Sequence, residues 1–278
     1  MTVWQGILLG IIQGITEFFP VSSSGHLVIA QSLIPGFRQP GVLFDVLLHG
    51  GTLIAVLFFL RRECIEIIAA FSTPLVAASG NRSTIETDRK KTMRRIALFV
   101  MIGTVITGLN GIFFYDRISE LFVSLRIVAF MLLTTGLLLH IAGRAAGNHK
   151  REQDITVTDS IVIGLLQSLA LMPGLSRSGA TIAGGIFCGI EGSVAARFSF
   201  LLSIPAITGA ILIESRHLDS IDPNQAAVYI AGITAAAVAG FATLRTLVFI
   251  IEKGRLHLFS WYCWIAGTAV LAISFFTA

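Results

Sequence analysis

Charge is scarce in this sequence. Only 13% of its 278 residues are Asp, Glu, Lys or Arg, where a soluble domain carries about 25%. With 54% hydrophobic residues and a mean hydropathy of +0.83, the shortage excludes an ordinary soluble domain and marks an integral membrane protein. Cysteine is scarce too. Cys64, Cys188 and Cys263 have neither an even count nor metal-ligand spacing, which leaves packed or free thiols rather than a disulfide framework or a zinc site. The start, Met1-Thr2-Val3-Trp4-Gln5, lacks a basic n-region and no small-residue cleavage site follows, so no removable signal peptide is expected. The net charge of +4 is no nucleic-acid footprint, because the basic residues cluster in loops between apolar runs, and no nucleic-acid partner is expected.

What the sequence has is long apolar runs. A spanning helix needs about 20 mostly apolar residues, and six segments meet that standard: Val42–Leu60, Ile96–Phe114, Leu121–Ala142, Ala195–Ile213, Ala227–Ile251 and Leu258–Phe276. Two more runs are long enough but broken by polar residues. One extends from Val3 to Ile34 with a break at Phe19–Ser24, the other from Ser160 to Ile190 with a break at Met172–Ser178. Lipid cannot hydrogen-bond an interrupted backbone, so such breaks survive at membrane depth only where protein or a watery cavity covers them. Each half is too short to cross, which predicts a re-entrant helical hairpin. The expected fold is an all-α polytopic membrane protein with six transmembrane helices and two re-entrant hairpins in a single membrane domain, residues 1–278.

The two broken runs are related. Shifted by 154 residues, Gly10-Ile11-Ile12-Gln13 falls on Gly164-Leu165-Leu166-Gln167, and Ser22-Ser23-Ser24-Gly25 falls on Ser176-Arg177-Ser178-Gly179. Phe44, Leu47 and Leu48 then meet Phe198, Leu201 and Leu202. This predicts internal repeats over about 1–142 and 156–278. Three crossings separate the hairpins, so they enter from opposite faces and the repeats are inverted, an arrangement that points to a midplane site. Loop charge sets the orientation: thirteen Lys and Arg residues, from Arg61 to Arg255, lie on one side and Arg38, Arg117 and Arg216 on the other. By the positive-inside rule the first side is cytoplasmic. Both termini and the mouth of the site are then expected on the outer face. The run Asp88–Arg95 reads as a headgroup-facing charge cluster, and Arg126, Arg197 and Arg245 as residues snorkelling from helix ends.

Bringing the breaks together assembles Gln13, Glu17, Ser22, Ser23, Ser24 and His26 opposite Ser176, Arg177, Ser178 and Thr181. Gln13 and Glu17 are four apart and share a helix face. Ser24-Gly25 and Ser178-Gly179 each precede an apolar run and read as N-caps that aim free N–H groups at the break. Two such helix ends and an arginine suit a phosphate. Hydroxyls beside His26 suggest a nucleophile and base. Glu17 would orient His26 or bind a divalent cation that bridges phosphate oxygens. Asp45 and His49, one turn apart, line the mouth or lie at the interface. Each piece also has a structural reading: serine and glycine pack membrane helices closely, a lone histidine is commonly a satisfied buried residue, and Pro20 and Pro173 end helices. The joint occurrence in two halves favours phosphate handling.

At this point the residues resemble a family. Gln13-x-x-x-Glu17-Phe18-Phe19-Pro20-Val21-Ser22-Ser23-Ser24-Gly25-His26 is similar to the first motif of the undecaprenyl-diphosphate phosphatases of the bacitracin-resistance type, and Pro173-Gly174-Leu175-Ser176-Arg177-Ser178-Gly179-Ala180-Thr181 to the second. Phe198-Ser199-Phe200-Leu201-Leu202 resembles the segment that follows, and the resemblance spans essentially the whole chain. It implies removal of the terminal phosphate from a C55 isoprenyl diphosphate in the bacterial plasma membrane, recycling the cell-wall lipid carrier. It also implies a divalent cation, Mg²⁺ or Ca²⁺. The acidic pair falls on Gln13 and Glu17, with Gln13 an accepted but weaker metal partner for Glu17. The serine nucleophile falls on Ser23, with His26 as its base or as the alternative nucleophile. The phosphate-binding arginine is Arg177, flanked by Ser176 and Ser178, with Gly25, Gly179, Thr181 and Asp45 lining the substrate. Ser24 stands where many members have threonine. A homodimer stays open. The rivals are a secondary transporter or lipid flippase with a midplane anion site, and a structural scaffold. Phosphate release without a membrane gradient separates the first, and silent Glu17→Gln and Arg177→Lys variants would mark the second.

Overall fold

Backbone groups without water must pair within their own segment, which makes helices of these apolar runs. The computed structural model describes residues 1–34, 43–72, 81–114, 117–118, 121, 124–145, 150–214 and 225–276. Its helices are α1 (Val3–Phe18), α2 (Ser23–Leu33), α3 (Leu43–Phe59), α4 (Arg61–Ser72), α5 (Asn81–Phe113), α6 (Leu125–Arg144), α7 (Val157–Leu169), α8 (Arg177–Phe187), α9 (Gly192–Glu214), α10 (Ala226–Glu252) and α11 (Leu258–Phe276). Among the described residues five helices are long and apolar enough to cross a membrane, in α5, α6, α9, α10 and α11. The sixth expected span, α3, is shorter at 17 residues. Arg38, Arg216 and the first residue of the Val42–Leu60 span lie outside the described residues.

Both broken runs are helix–break–helix. α1 has a capping box in which the Thr2 hydroxyl and the Gln5 side chain satisfy each other's backbone N–H, and α7 has the same device in Thr156 and Asp159. The first break closes on Pro20 and on Ser22, whose φ of 71° is the left-handed region. A non-glycine residue there is strained, and such strain persists only where the surroundings impose it. The second break has Pro173 and Gly174, at φ +94°. α2 begins at Ser23 and α8 at Arg177, so the caps are Ser22 and Ser176, two residues before the expected Ser24 and Ser178. The Ser22 hydroxyl accepts from Gly25 N at 3.3 Å and the Ser176 hydroxyl from Gly179 N at 3.1 Å. A cap reaches the N–H three residues on, and the serine three before each glycine has that spacing.

The first helices of the two hairpins pack crosswise. α1 lies against α10, and α7 lies against α5. α1 turns Gly6, Gly10 and Gly14 to α10; a Cβ on Gly14 would stand 2.6 Å from the Ala236 carbonyl oxygen. On α7, a Cβ at Gly164 would stand 2.8 Å from the Gly103 Cα. The opposite faces are apolar stripes of exposed residues, Trp4, Leu8, Ile11 and Ile15 on α1 and Val157, Ile161, Leu165 and Leu169 on α7. Each is a lipid-facing stripe backed by a small-residue seam. Gly14→Val should therefore force α1 off α10. The expected cost is about 1–3 kcal/mol, read as a lower thermal midpoint of the purified protein, whereas Ile11→Val on the lipid face should leave it unchanged.

Two features depart from expectation. α5 begins at Asn81, so the charged run Asp88–Arg95 continues the helix; Lys, Arg and Glu are good helix formers and no Gly or Pro interrupts them. Within it Arg89 pairs with Glu66 and Glu152. α4 has no counterpart among the expected spans. Arg126 and Arg245 lie over the Phe275 and Phe241 rings, and Arg197 pairs with Glu63.

Candidate active site

The two breaks touch. Ser178 Oγ donates to the Phe19 carbonyl at 3.3 Å. A Cβ on Gly25 would lie 3.3 Å from Gly174 Cα, and one on Gly179 would lie 3.3 Å from Pro20 Cβ. Neighbouring helices hold each break in place: Thr135 of α6 accepts from Ser176 N at 3.1 Å and donates to the Gly174 carbonyl at 3.3 Å, and the Cys263 thiol of α11 points at the Pro20 carbonyl.

Glu17 is the centre. It is buried in the last turn of α1, and four side chains from three other places in the sequence and one turn back converge on it. Its Oε2 accepts from Gln13 Nε2 at 2.9 Å and from Ser23 Oγ at 2.6 Å, and faces His49 Nε2 at 3.4 Å. Its Oε1 accepts from Arg177 at 3.0 Å, across 160 residues of chain. The same guanidinium donates to the Ser199 carbonyl at 3.2 Å, and Ser199 Oγ lies 2.6 Å from Thr181 Oγ1. A buried carboxylate is expensive unless paired and hydrogen-bonded; here it is both. Arg177 is not wholly sunk, with 16% of its side chain exposed against 5% for Glu17, so its guanidinium can reach a ligand.

Gln13 brings a further group. Its Oε1 is buried and has no hydrogen-bond partner among the described residues. Its repeat counterpart Gln167 is also buried, with an Oε1 that has no partner among the described residues, and donates to Thr107 of α5 at 2.9 Å, but the residue four further on is Leu171, not a carboxylate. Gln13, Glu17 and Ser23 thus present a set of oxygen donors, which is the chemistry Mg²⁺ and Ca²⁺ select. Among the described residues no three His, Cys, Asp or Glu side chains gather in one place, so a cation here would rely on the amide and hydroxyl oxygens and on substrate.

His26 is placed differently from the sequence expectation. Its Nδ1 lies 2.7 Å from the Ser22 carbonyl and its Nε2 lies 2.7 Å from the Tyr262 hydroxyl. A carbonyl can only accept, so Nδ1 carries the proton and a neutral ring accepts from Tyr262 at Nε2. The Tyr262 ring stacks on it with centroids 5.6 Å apart. No hydrogen bond joins His26 to Ser23 or to Glu17 among the described residues; the partner of Ser23 is the carboxylate. Ser22 and Ser24 hydroxyls lie 3.4 Å apart, and Ser176 and Ser178 hydroxyls 3.2 Å apart. Asp45 accepts from Gln31 of α2 at 2.8 Å, tying α2 to α3 at the end of the hairpin. His49, from the same helix, reaches Glu17. It is held by Nδ1 against the Asp45 carbonyl at 2.7 Å. The sequence marks Ser199 only as part of the Phe198–Leu202 segment, without its contacts to Arg177 and Thr181, and nothing near Tyr262 sets it apart from other aromatic residues of a spanning helix.

Comparison with known proteins agrees over the whole length. Residues 6–269 match the family model described as bacitracin resistance protein BacA. The undecaprenyl-diphosphatase of Syntrophotalea carbinolica is 40% identical over 274 residues, covering 99% of this chain and all of the relative. That of Desulfosudis oleivorans is 41% identical, with 97% of each chain covered. That of Methanobrevibacter smithii is 38% identical, again with 97% of each covered.

Proposed function

This chain belongs to the bacitracin resistance protein BacA family and hydrolyses undecaprenyl diphosphate as a multi-pass membrane phosphatase, and from that premise we propose how its own residues divide the work. Arg177 binds the terminal phosphate, Ser23 attacks it, and Glu17 takes the serine's proton. The observation that carries this reading is the contact of Ser23 Oγ and Arg177 with the two oxygens of one buried carboxylate.

Without substrate the guanidinium is the counter-ion of Glu17. A diphosphate brings stronger negative charge, and a guanidinium fork prefers phosphate oxygens. As Arg177 turns to the phosphate, Glu17 loses its counter-ion and becomes basic enough to accept the Ser23 proton. Ser23 Oγ then forms a bond to the terminal phosphorus while the bond from phosphorus to the bridging oxygen breaks. The lipid monophosphate leaves with the bonding electrons. Glu17 passes its proton to the departing monophosphate. A water next attacks the phosphorus of the phosphoserine and gives its proton to Glu17. The bond from phosphorus to Ser23 Oγ breaks with its electrons on that oxygen, Glu17 returns the proton to it, and inorganic phosphate is released. The first N–H groups of α2 and α8, ahead of those of Gly25 and Gly179 that the serine caps take, face the charge that develops. Ser24, Ser176, Ser178 and Thr181 position the headgroup and the loop that carries Arg177. Gln13, Glu17 and Ser23 would hold a Mg²⁺ or Ca²⁺ ion, which neutralises phosphate charge when bound.

His26 is the second candidate nucleophile, and its unprotonated Nε2 is what favours that reading. The two are separated by trapping. Rapid acid quench of enzyme turning over a ³²P-labelled isoprenyl diphosphate should give an acid-stable phosphoserine at Ser23, absent from Ser23→Ala. An acid-labile label on His26 would reverse the assignment. Tyr262→Phe tests the accompanying contact. Losing one hydroxyl that orders His26 should lower kcat about three- to tenfold with KM little changed, since a net hydrogen bond is worth about 1 kcal/mol; steady-state phosphate release reads it.

The crosswise packing of α1 on α10 and α7 on α5 supports two inverted repeats, about 1–142 and 156–278. Loop charge supports a site that opens to the outer face of a bacterial inner membrane with both termini on that side. Impermeant thiol labelling of single cysteines placed at Asp45 and Arg151, in a cysteine-free chain, tests it: the first should react in intact cells and the second only after lysis.

A further inference from the structure

At the far end of α3 from the site lies a second charged cavity. Ten residues separate His49 from Phe59, a rise of about 15 Å along the helix. The cavity measures about 430 Å³ and is lined by Phe59, Arg61, Arg62, Glu63, Glu66, Arg89 and Arg197. Its two glutamates are already neutralised. Glu66 pairs with Arg89 at 2.8 Å and Glu63 with Arg197 at 3.3 Å. Arg89 also meets Glu152 at 2.6 Å, so four arginines stand against three glutamates, and Arg61 and Arg62 are the two without a carboxylate partner among the described residues. Arg61 donates to the Phe58 carbonyl at 3.1 Å and lies over the Phe58 ring. Arg62 is exposed and has no hydrogen bond or ion pair among the described residues.

The depth of this cavity is set by its neighbours. Phe58 is an exposed apolar residue at the end of a membrane helix, and an arginine laid back along it marks the headgroup level. α4 runs from there packed on α5. Its outward face carries Ile65, Ile68 and Phe71, spaced three apart on one side of the helix. Glu66 meets Arg89 and the Ala70 carbonyl meets Arg94, so α4 runs alongside α5 and carries its exposed apolar stripe from the headgroup level toward the acyl chains. The cavity mouth then faces headgroups, and Arg61 and Arg62, both exposed and neither paired with a carboxylate among the described residues, lie there.

We propose that this cavity is a binding site for the headgroup of an anionic phospholipid, in the leaflet opposite the mouth of the active site. Arg61 and Arg62 donate to the phosphodiester, and the Arg89–Glu66 and Arg197–Glu63 pairs form the walls. The two acyl chains run down over Ile65, Ile68 and Phe71. The site is distinct from the Glu17–Arg177 centre in residues and in position, and it takes a diester that it does not cleave.

Native mass spectrometry of the whole detergent-solubilised protein, titrated with phosphatidylglycerol, phosphatidylcholine or inorganic phosphate, tests this. Phosphatidylglycerol should bind wild type at least tenfold more tightly than phosphatidylcholine. Arg61→Ala/Arg62→Ala should lose that preference, while Arg144→Ala, a basic residue on the same face outside the cavity, should keep it. Phosphate release from a short-chain isoprenyl diphosphate should be unchanged in the double variant, which shows that it folds. Equal phosphatidylglycerol binding by the double variant, an equal loss in Arg144→Ala, or displacement of the lipid by millimolar inorganic phosphate would each overturn the proposal.

Discussion

Arg177→Ala should lower kcat/KM for phosphate release about 10³-fold, the scale on which a preorganised charge on a transferring phosphoryl group acts. Two effects combine in that number and can be separated. The arginine contacts phosphate, and it also balances Glu17, to which it lies at 3.0 Å. Removing one partner of a buried pair costs about 3–5 kcal/mol, because a charge is left uncompensated. The single variant should therefore be both inactive and less stable. Adding Glu17→Gln removes the stranded charge, so Glu17→Gln/Arg177→Ala should regain most of the thermal midpoint. Activity should stay lost. Recovery of turnover along with stability would mean that neither Arg177 nor Glu17 acts in the chemistry and that the pair serves the fold. Arg177→Lys keeps the charge but not the fork that spans Glu17 and the Ser199 carbonyl, and should fall between, about 10- to 100-fold below wild type.

The parts of this site that show in the sequence are those with a local cost. Pro20 with Ser22 to Ser24, and Pro173 with Ser176 to Ser178, interrupt apolar runs that lipid would otherwise keep helical, so the breaks stand out without any structure. Gln13 and Glu17 are legible as an i,i+4 pair and do bond directly. Contacts that depend on packing leave no such mark. Tyr262 meets His26 from 236 residues away, on a helix whose pattern is simply apolar. His49 reads as a residue near a helix start and turns out to face Glu17 because α3 packs beside α1. The caps were displaced by two residues because serines occupy both candidate positions in each break, and only the backbone decides which of them precedes the first turn. α4 escaped notice since it is neither apolar enough to span nor polar enough to be loop.

Glu17→Gln is the sharper test of the division of labour between carboxylate and serine. The amide is nearly the same shape and can still bond Ser23 and Arg177, and Arg177 is the more exposed partner, so the fold should survive with a lower thermal midpoint, and activity measured well below that midpoint reports chemistry. A general base is worth about 10²–10⁴-fold, and a loss near 10³-fold in kcat is expected. Ser23→Ala should be as low, because a base without its nucleophile, or a nucleophile without its base, leaves the same residual catalysis by the arginine and helix ends. For the same reason Glu17→Gln/Ser23→Ala should be no worse than either single change, the non-additivity of groups that act as one unit. Ser23→Ala retaining more than a tenth of wild-type turnover would remove serine attack. If Glu17→Gln were still inactive in that case, the carboxylate would be acting through the cation or Arg177, and His26→Ala would then be the variant that loses the covalent label.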